Sequence, residues 1–87
     1  MSNRLLSWTD EACSSYVYWQ THDKKTLKRI NKLISDVKRA PFDGIGKPEP
    51  LKENLSVFWS RRIDDTNRLV YAVDDTAITV ISCRYHC

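Results

Sequence analysis

Residues 57–86 read VFWSRRIDDTNRLVYAVDDTAITVISCRYH, and this stretch decides the fold. Residues 57–63 alternate Val57, Trp59, Arg61 and Ile63 against Phe58, Ser60 and Arg62, which is the two-residue period of a strand. Asp64-Asp65-Thr66-Asn67 supplies a turn, residues 68–73 a second strand, Asp74-Asp75 a second turn, and residues 77–86 a third strand. Strands joined by such short turns pair antiparallel. On the last strand Ile78, Val80, Ser82, Arg84 and His86 fall on one face, so Arg84 and His86 are expected to point the same way.

Upstream the period changes. Residues 4–8 read as a short strand, followed by Thr9 as a helix N-cap with Asp10 and Glu11 in the first turn. This first helix runs to about Gln20 and buries Ala12, Tyr16 and Trp19. Asp23 caps a second helix over residues 24–39, which Pro41 stops. In that helix Leu27, Ile30, Leu33, Ile34 and Val37 form an apolar stripe. Lys25, Lys28, Arg29, Lys32 and Arg39 gather on the opposite side. Residues 41–56, PFDGIGKPEPLKENLS, hold every Gly and Pro of the chain and read as a long loop. The expected fold is α+β, order β-α-α-β-β-β, with two helices on one face of a mainly antiparallel sheet.

At 87 residues the chain fits one domain, residues 1–87. No run approaches the roughly 20 apolar residues of a membrane span. MSNRLLSWTDEAC lacks the basic-then-apolar pattern of a secretory signal, so a cytoplasmic location is expected. Cys13, Cys83 and Cys87 are odd in number and contain no CxxC pair, which argues against a disulfide framework. A zinc site would have to recruit Cys83, His86, Cys87 and His22, a spacing without a paired ligand knuckle; no metal or other cofactor is expected. Residues 1–40 carry eight Lys/Arg against four Asp/Glu, and residues 41–87 six against seven. A basic first half fits a polyanion partner. The cationic side of the second helix is either a plain solvated face or a phosphate-contacting one.

RNA carries its own nucleophile, the 2′-hydroxyl. Cleavage without metal needs a base for that hydroxyl, an acid for the leaving 5′-oxygen, and cations for the charged phosphorane. Imidazole, titrating near pH 6.5 in water, suits acid or base work, and arginine suits the phosphorane. The C-terminal half offers this set. Glu49 lies between Pro48 and Pro50, flanked by Lys47 and Lys52; Arg61, Arg62 and Arg68 lie on adjacent strands; Arg84 and His86 end the last one. Each has a plainer reading: a solvated loop carboxylate, a frayed terminal histidine, arginines guarding an edge strand. Tyr16, Tyr18 and Trp19 read as core rather than as a base-stacking platform.

The residues themselves carry a resemblance. GKPEPLKENLSVFWSRRIDDTNRLVYAVDD (46–75), SCRYHC (82–87), YVYWQTHDKKTLKRINKLI (16–34) and RAPFDGIGKPEP (39–50) together resemble the RelE/YoeB superfamily of toxin–antitoxin toxins. That resemblance implies a microbial-ribonuclease-like fold and ribosome-dependent cleavage of mRNA in the A site, arresting translation. It implies Glu49 as general base, His86 as general acid and Arg68 as the phosphorane's cation. Arg62 and Lys52 become phosphate contacts, and Arg61, Lys47, Tyr85 and Cys87 complete the expected substrate-contacting set. Lys25, Lys28, Arg29, Lys32 and Arg39 would face ribosomal RNA. The implied partners are a YefM-like antitoxin with an acidic disordered segment, the ribosome with its mRNA, operator DNA reached only through the antitoxin, and a second copy in a homodimer. The alternative is a translation inhibitor that binds the ribosome without cutting. One departure stands out: related toxins commonly end RYHY, where this chain ends RYHC. Cys87 lacks the ring that helps hold the substrate nucleotide, and stacking of that kind is worth about 1–3 kcal/mol per base.

Overall fold

Asp23 joins the two helices by serving both. The structure, a computed structural model, describes residues 4–51 and 57–84. Thr9 caps α1 (Asp10–His22) by accepting from the Ala12 N–H. The Asp23 backbone N–H then closes α1 on the Trp19 carbonyl, while its carboxylate accepts from the Thr26 N–H and opens α2 (Lys24–Arg39). Hydrogen bonds from Thr26, side chain first and then backbone, hold the Asp23 carboxyl below its ordinary range. Ile30, Leu33, Ile34 and Val37 bury the apolar stripe of α2.

The strands are β1 (Leu5–Trp8), β2 (Glu49–Pro50), β3 (Phe58–Arg62), β4 (Arg68–Val73) and β5 (Ala77–Ser82). They form one sheet in the order β1-β5-β4-β3-β2. β2 to β5 pair antiparallel, and β1 lies parallel to β5. The two turns use one device. Asp64 accepts from the backbone of Thr66 and Asn67, and Asp74 from that of Thr76 and Ala77. Leu69, Tyr71 and Val73 of β4 with Ile78 and Val80 of β5 form the core beneath the helices, joined by Ile30, Leu33, Val37, Ala12 and Trp19. Cross-strand partners share a face, so the register leaves Ser60, Arg62, Arg68 and Val70 on the other side of the sheet.

Three expectations need correction. The 41–56 loop is not wholly irregular: Glu49–Pro50 adds an edge strand to β3. The first helix continues to His22, past Gln20. The last strand stops at Ser82, and its faces are not constant. Val80 pairs with Tyr71 but Ser82 pairs with Val70, so one extra residue, Ile81, bulges out of β5. A bulge of one residue exchanges faces. Ser82 therefore lies on the side opposite Ile78 and Val80.

Candidate functional site

On the side of the sheet away from the helices, residues from four strands converge. Glu49 of β2 pairs in register with Ser60 of β3, Ser60 with Val70 of β4, and Val70 with Ser82 of β5. Two pairs along, on the same face, Arg62 lies opposite Arg68. Arg68 Nη1 stands 3.4 Å from Glu49 Oε1 and 3.3 Å from Ser60 Oγ. Arg62 pairs with Asp65 of the following turn. Two cations directly opposite on a sheet repel. Their side chains are also well exposed, 46% for Arg62 and 36% for Arg68, so both guanidiniums reach solvent although each is paired with a carboxylate. That surface suits a polyanion lying across it.

Position and chemistry here come from different segments. Pro48 and Pro50 flank Glu49, and the turn that delivers it carries positive φ at Gly44, Gly46 and Lys47. A Cβ on Gly44 would lie 2.0 Å from Asp36 Oδ2, so the turn sits directly on α2. The Arg62 N–H donates to the Gly46 carbonyl at 2.7 Å, tying that turn to β3.

Arg61, expected among the substrate contacts, is corrected. It points into the helix side and has no exposure at all. Its Nη1 donates to Asp36 Oδ2 at 2.6 Å and to the Ile45 carbonyl, and its Nη2 to the carbonyls of Ala40 and Asp43. Its Nε donates to the Tyr71 hydroxyl, which donates in turn to the Pro41 carbonyl at 2.7 Å. A guanidinium with every donor committed has none left for phosphate. Hydrogen bonds from Arg39, from the Ile45 N–H and from Arg61 pull the Asp36 carboxyl down to about 2. Burial pushes the Tyr71 hydroxyl upward.

The other expected residues divide. Lys47 is exposed beside Glu49. On α2, Lys25, Lys28 and Lys32 are exposed; Arg29 is half-buried and donates to the Arg62 carbonyl, and Arg39 is engaged by Asp36. Lys25, Thr26, Arg29, Ile63 and Asp64 line an open cleft of about 340 Å³, and Lys32, Ser35, Asp36, Arg39 and Ile45 one of about 270 Å³. Neither is lined by Glu49 or Arg68, which sit on the open face of the sheet. Lys52, Tyr85, His86 and Cys87 lie outside the described residues. The sequence reading passed over Ser60, Asp36 and Tyr71. Ser60 alternates with Arg62 and was legible by period alone, whereas nothing local marks Asp36 and Tyr71 as partners of Arg61. Cys13 and Cys83 are free thiols; burial raises that of Cys83 to about 11.

Comparison with known proteins assigns a chain of this fold to a class, the toxins of bacterial type II toxin–antitoxin systems. Residues 8–87 match the family of YoeB-like toxins of bacterial type II toxin–antitoxin systems. The toxin YoeB of Escherichia coli (strain K12) is 57% identical over 81 residues, 93% of this chain and 96% of its own. The YoeB dimer from Staphylococcus aureus superposes with a TM-score of 0.88 at 44% identity, covering 99% of this chain and 100% of that one. The Staphylococcus aureus toxin in a YoeB–YefM complex superposes at 0.84 with 42% identity over the same shares. The chain belongs to the YoeB-like toxin family and is a toxin of a type II toxin–antitoxin system.

Proposed function

We propose that this toxin is a metal-independent endoribonuclease that cuts mRNA in the ribosomal A site. The observation that carries the reading is the meeting of Glu49 and Arg68, nineteen residues apart in sequence, on the uncovered sheet face with Arg62 alongside. Glu49 takes the proton of the 2′-hydroxyl, whose oxygen attacks the adjacent phosphorus. Arg68 and Arg62 bond the phosphorane oxygens as negative charge grows there. The bond to the 5′-oxygen breaks, His86 protonates that oxygen, and a 2′,3′-cyclic phosphate is left.

His86 follows Ser82 by four positions, and Ser82 shares a cross-strand row with Glu49. Lys47, Lys52, Tyr85 and Cys87 are placed by the same reading around the flanking nucleotides, and Lys25, Lys28, Arg29, Lys32 and Arg39 against ribosomal RNA, which would bring the substrate to a weakly enclosed site. The dimer and the YefM complex of the Staphylococcus aureus relative support a homodimer and a YefM-like antitoxin here, and an acidic segment on that antitoxin would complement the chain's basic residues. Operator DNA would then be met only through the antitoxin, and the whole cycle would run in the cytoplasm. No helix among the described residues is long and apolar enough to cross a membrane.

The test adds the protein to a translation extract with a defined mRNA and maps new 5′ ends by primer extension, beside Glu49→Ala, His86→Ala and naked mRNA. Cuts at A-site codons, from the natural chain only and only on ribosomes, are expected. Arrest without new ends would overturn the reading in favour of a ribosome blocker. Cys87→Tyr, added to the series, is expected to cut faster or at an altered set of codons.

A further inference from the structure

Past the end of β5 the chain is gripped by the last two turns of α1. Trp19 Nε1 donates to the Cys83 carbonyl at 2.9 Å, and the Cys83 side chain is wholly buried. The Arg84 guanidinium lies over the Tyr18 ring, 3.5 Å from its centroid. The His22 ring stacks on Tyr18 too, centroids 3.9 Å apart and planes inclined by 12°. Two groups that close to one centroid would collide on the same side, so Arg84 and His22 cover opposite faces of Tyr18. His22 is itself held, its Nδ1 2.8 Å from the Tyr18 carbonyl and 3.0 Å from Thr21 Oγ1. Trp19 meets the Tyr18 ring nearly edge-on at 5.1 Å. With both faces occupied, Tyr18 has no face to offer a nucleobase. What it holds is a cation on the chain's own tail.

We propose that Tyr18 is a positioning residue for cleavage: its ring clamps Arg84 and so fixes where the last residues of the chain begin. The inference rests on the reading of His86 as general acid. His86 follows Arg84 by two positions, at most about 7 Å of backbone, so where Arg84 is held limits where the imidazole can act. A general acid misplaced by about 1 Å can cost about 10²-fold in rate.

The test measures A-site cleavage by the full-length protein and by Tyr18→Leu, Tyr18→Phe and Arg84→Gln, with His86 followed by the NMR signal of its imidazole Cε1–H. Tyr18→Leu is expected to lower kcat about 10- to 100-fold with KM within about twofold, and to flatten the alkaline limb of the pH–rate profile. Tyr18→Phe keeps the ring and should restore the natural rate. Both Tyr18→Leu and Arg84→Gln should shift the His86 signal. Should Tyr18→Leu fail to fold, Arg84→Gln, on a half-exposed residue, carries the comparison. A natural rate in Tyr18→Leu or Arg84→Gln, a loss confined to KM, or a Tyr18→Phe as impaired as Tyr18→Leu would overturn the proposal. If the natural chain cuts no RNA, the ribonuclease reading fails instead; an unmoved His86 signal in both variants would still overturn the clamp.

Discussion

Arg61 and Arg62 are neighbours in sequence and live in different media. Arg61 is wholly buried, with its donors spent on a carboxylate, a hydroxyl and three carbonyls. Arg62, across the sheet, shares open solvent with Arg68 and Glu49. The strand's alternation puts one arginine on each face, and the helices cover only one face. In the covered region the ion pair was desolvated, and it persists because every polar atom there is matched; among the described residues no buried side-chain nitrogen or oxygen lacks a partner. In the open region Glu49 and Arg68 keep their water and hold each other loosely at 3.4 Å. An exposed pair of that kind adds about 0–1 kcal/mol to stability. Its groups are therefore available to a substrate. One arginine cluster builds the turn that carries Glu49, and the other stands beside Glu49 in the site proposed for cleavage.

The sharpest way to break this contrast is to exchange the expected phenotypes. Glu49→Ala or Arg68→Ala should lower ribosome-dependent cleavage by about 10²–10⁴. Neither should move the melting temperature by more than about 4 °C, since an exposed pair contributes about 0–1 kcal/mol. A clear loss of thermal stability would place the pair in the scaffold instead. Arg61→Met should do the reverse: it removes one partner of the Asp36 carboxylate and the donor to four further oxygen acceptors, at about 3–5 kcal/mol. For a domain this size that lowers the melting temperature by about 12 °C or more, read by circular dichroism. Any residual folded fraction should still cut RNA.

Tyr71→Phe makes a smaller hole in the same network. It removes one hydroxyl that accepts from Arg61 and donates to Pro41, and should cost about 1–3 kcal/mol by urea denaturation. The pH dependence of stability sharpens the picture further. The Asp36 carboxyl is held at about 2, below its ordinary 3.8, so its contribution is complete above pH 4 and is lost as pH falls toward 2. Burial raises the Tyr71 hydroxyl above its ordinary 10.0, so its neutral form stabilises the fold below pH 10, and that contribution is lost as pH rises through the higher folded value. Urea midpoints across pH 3–10 should therefore weaken at the acid end in the natural chain, and less so in Asp36→Asn. Equal acid sensitivity in both would remove Asp36 from the explanation.

How much of this could be read beforehand follows from the range of the forces. Caps, periods and turns act within a few residues, so Thr9, Asp23, the apolar stripe of α2 and the boundaries of β4 were legible from the residues alone. So were the types of residue that cleavage would need, and the family to which the motifs point. Pairing partners and faces are not local. A single bulged residue at Ile81 changes which side Ser82 occupies, and no composition signal announces it. The same holds for the two arginines. Sequence places Arg61 and Arg62 on opposite faces, but only the docking of α2 and of the 40–45 turn decides which face is dry. Burial is a property of the assembled layers, and with it the assignment of one arginine to the frame and its neighbour to the open surface.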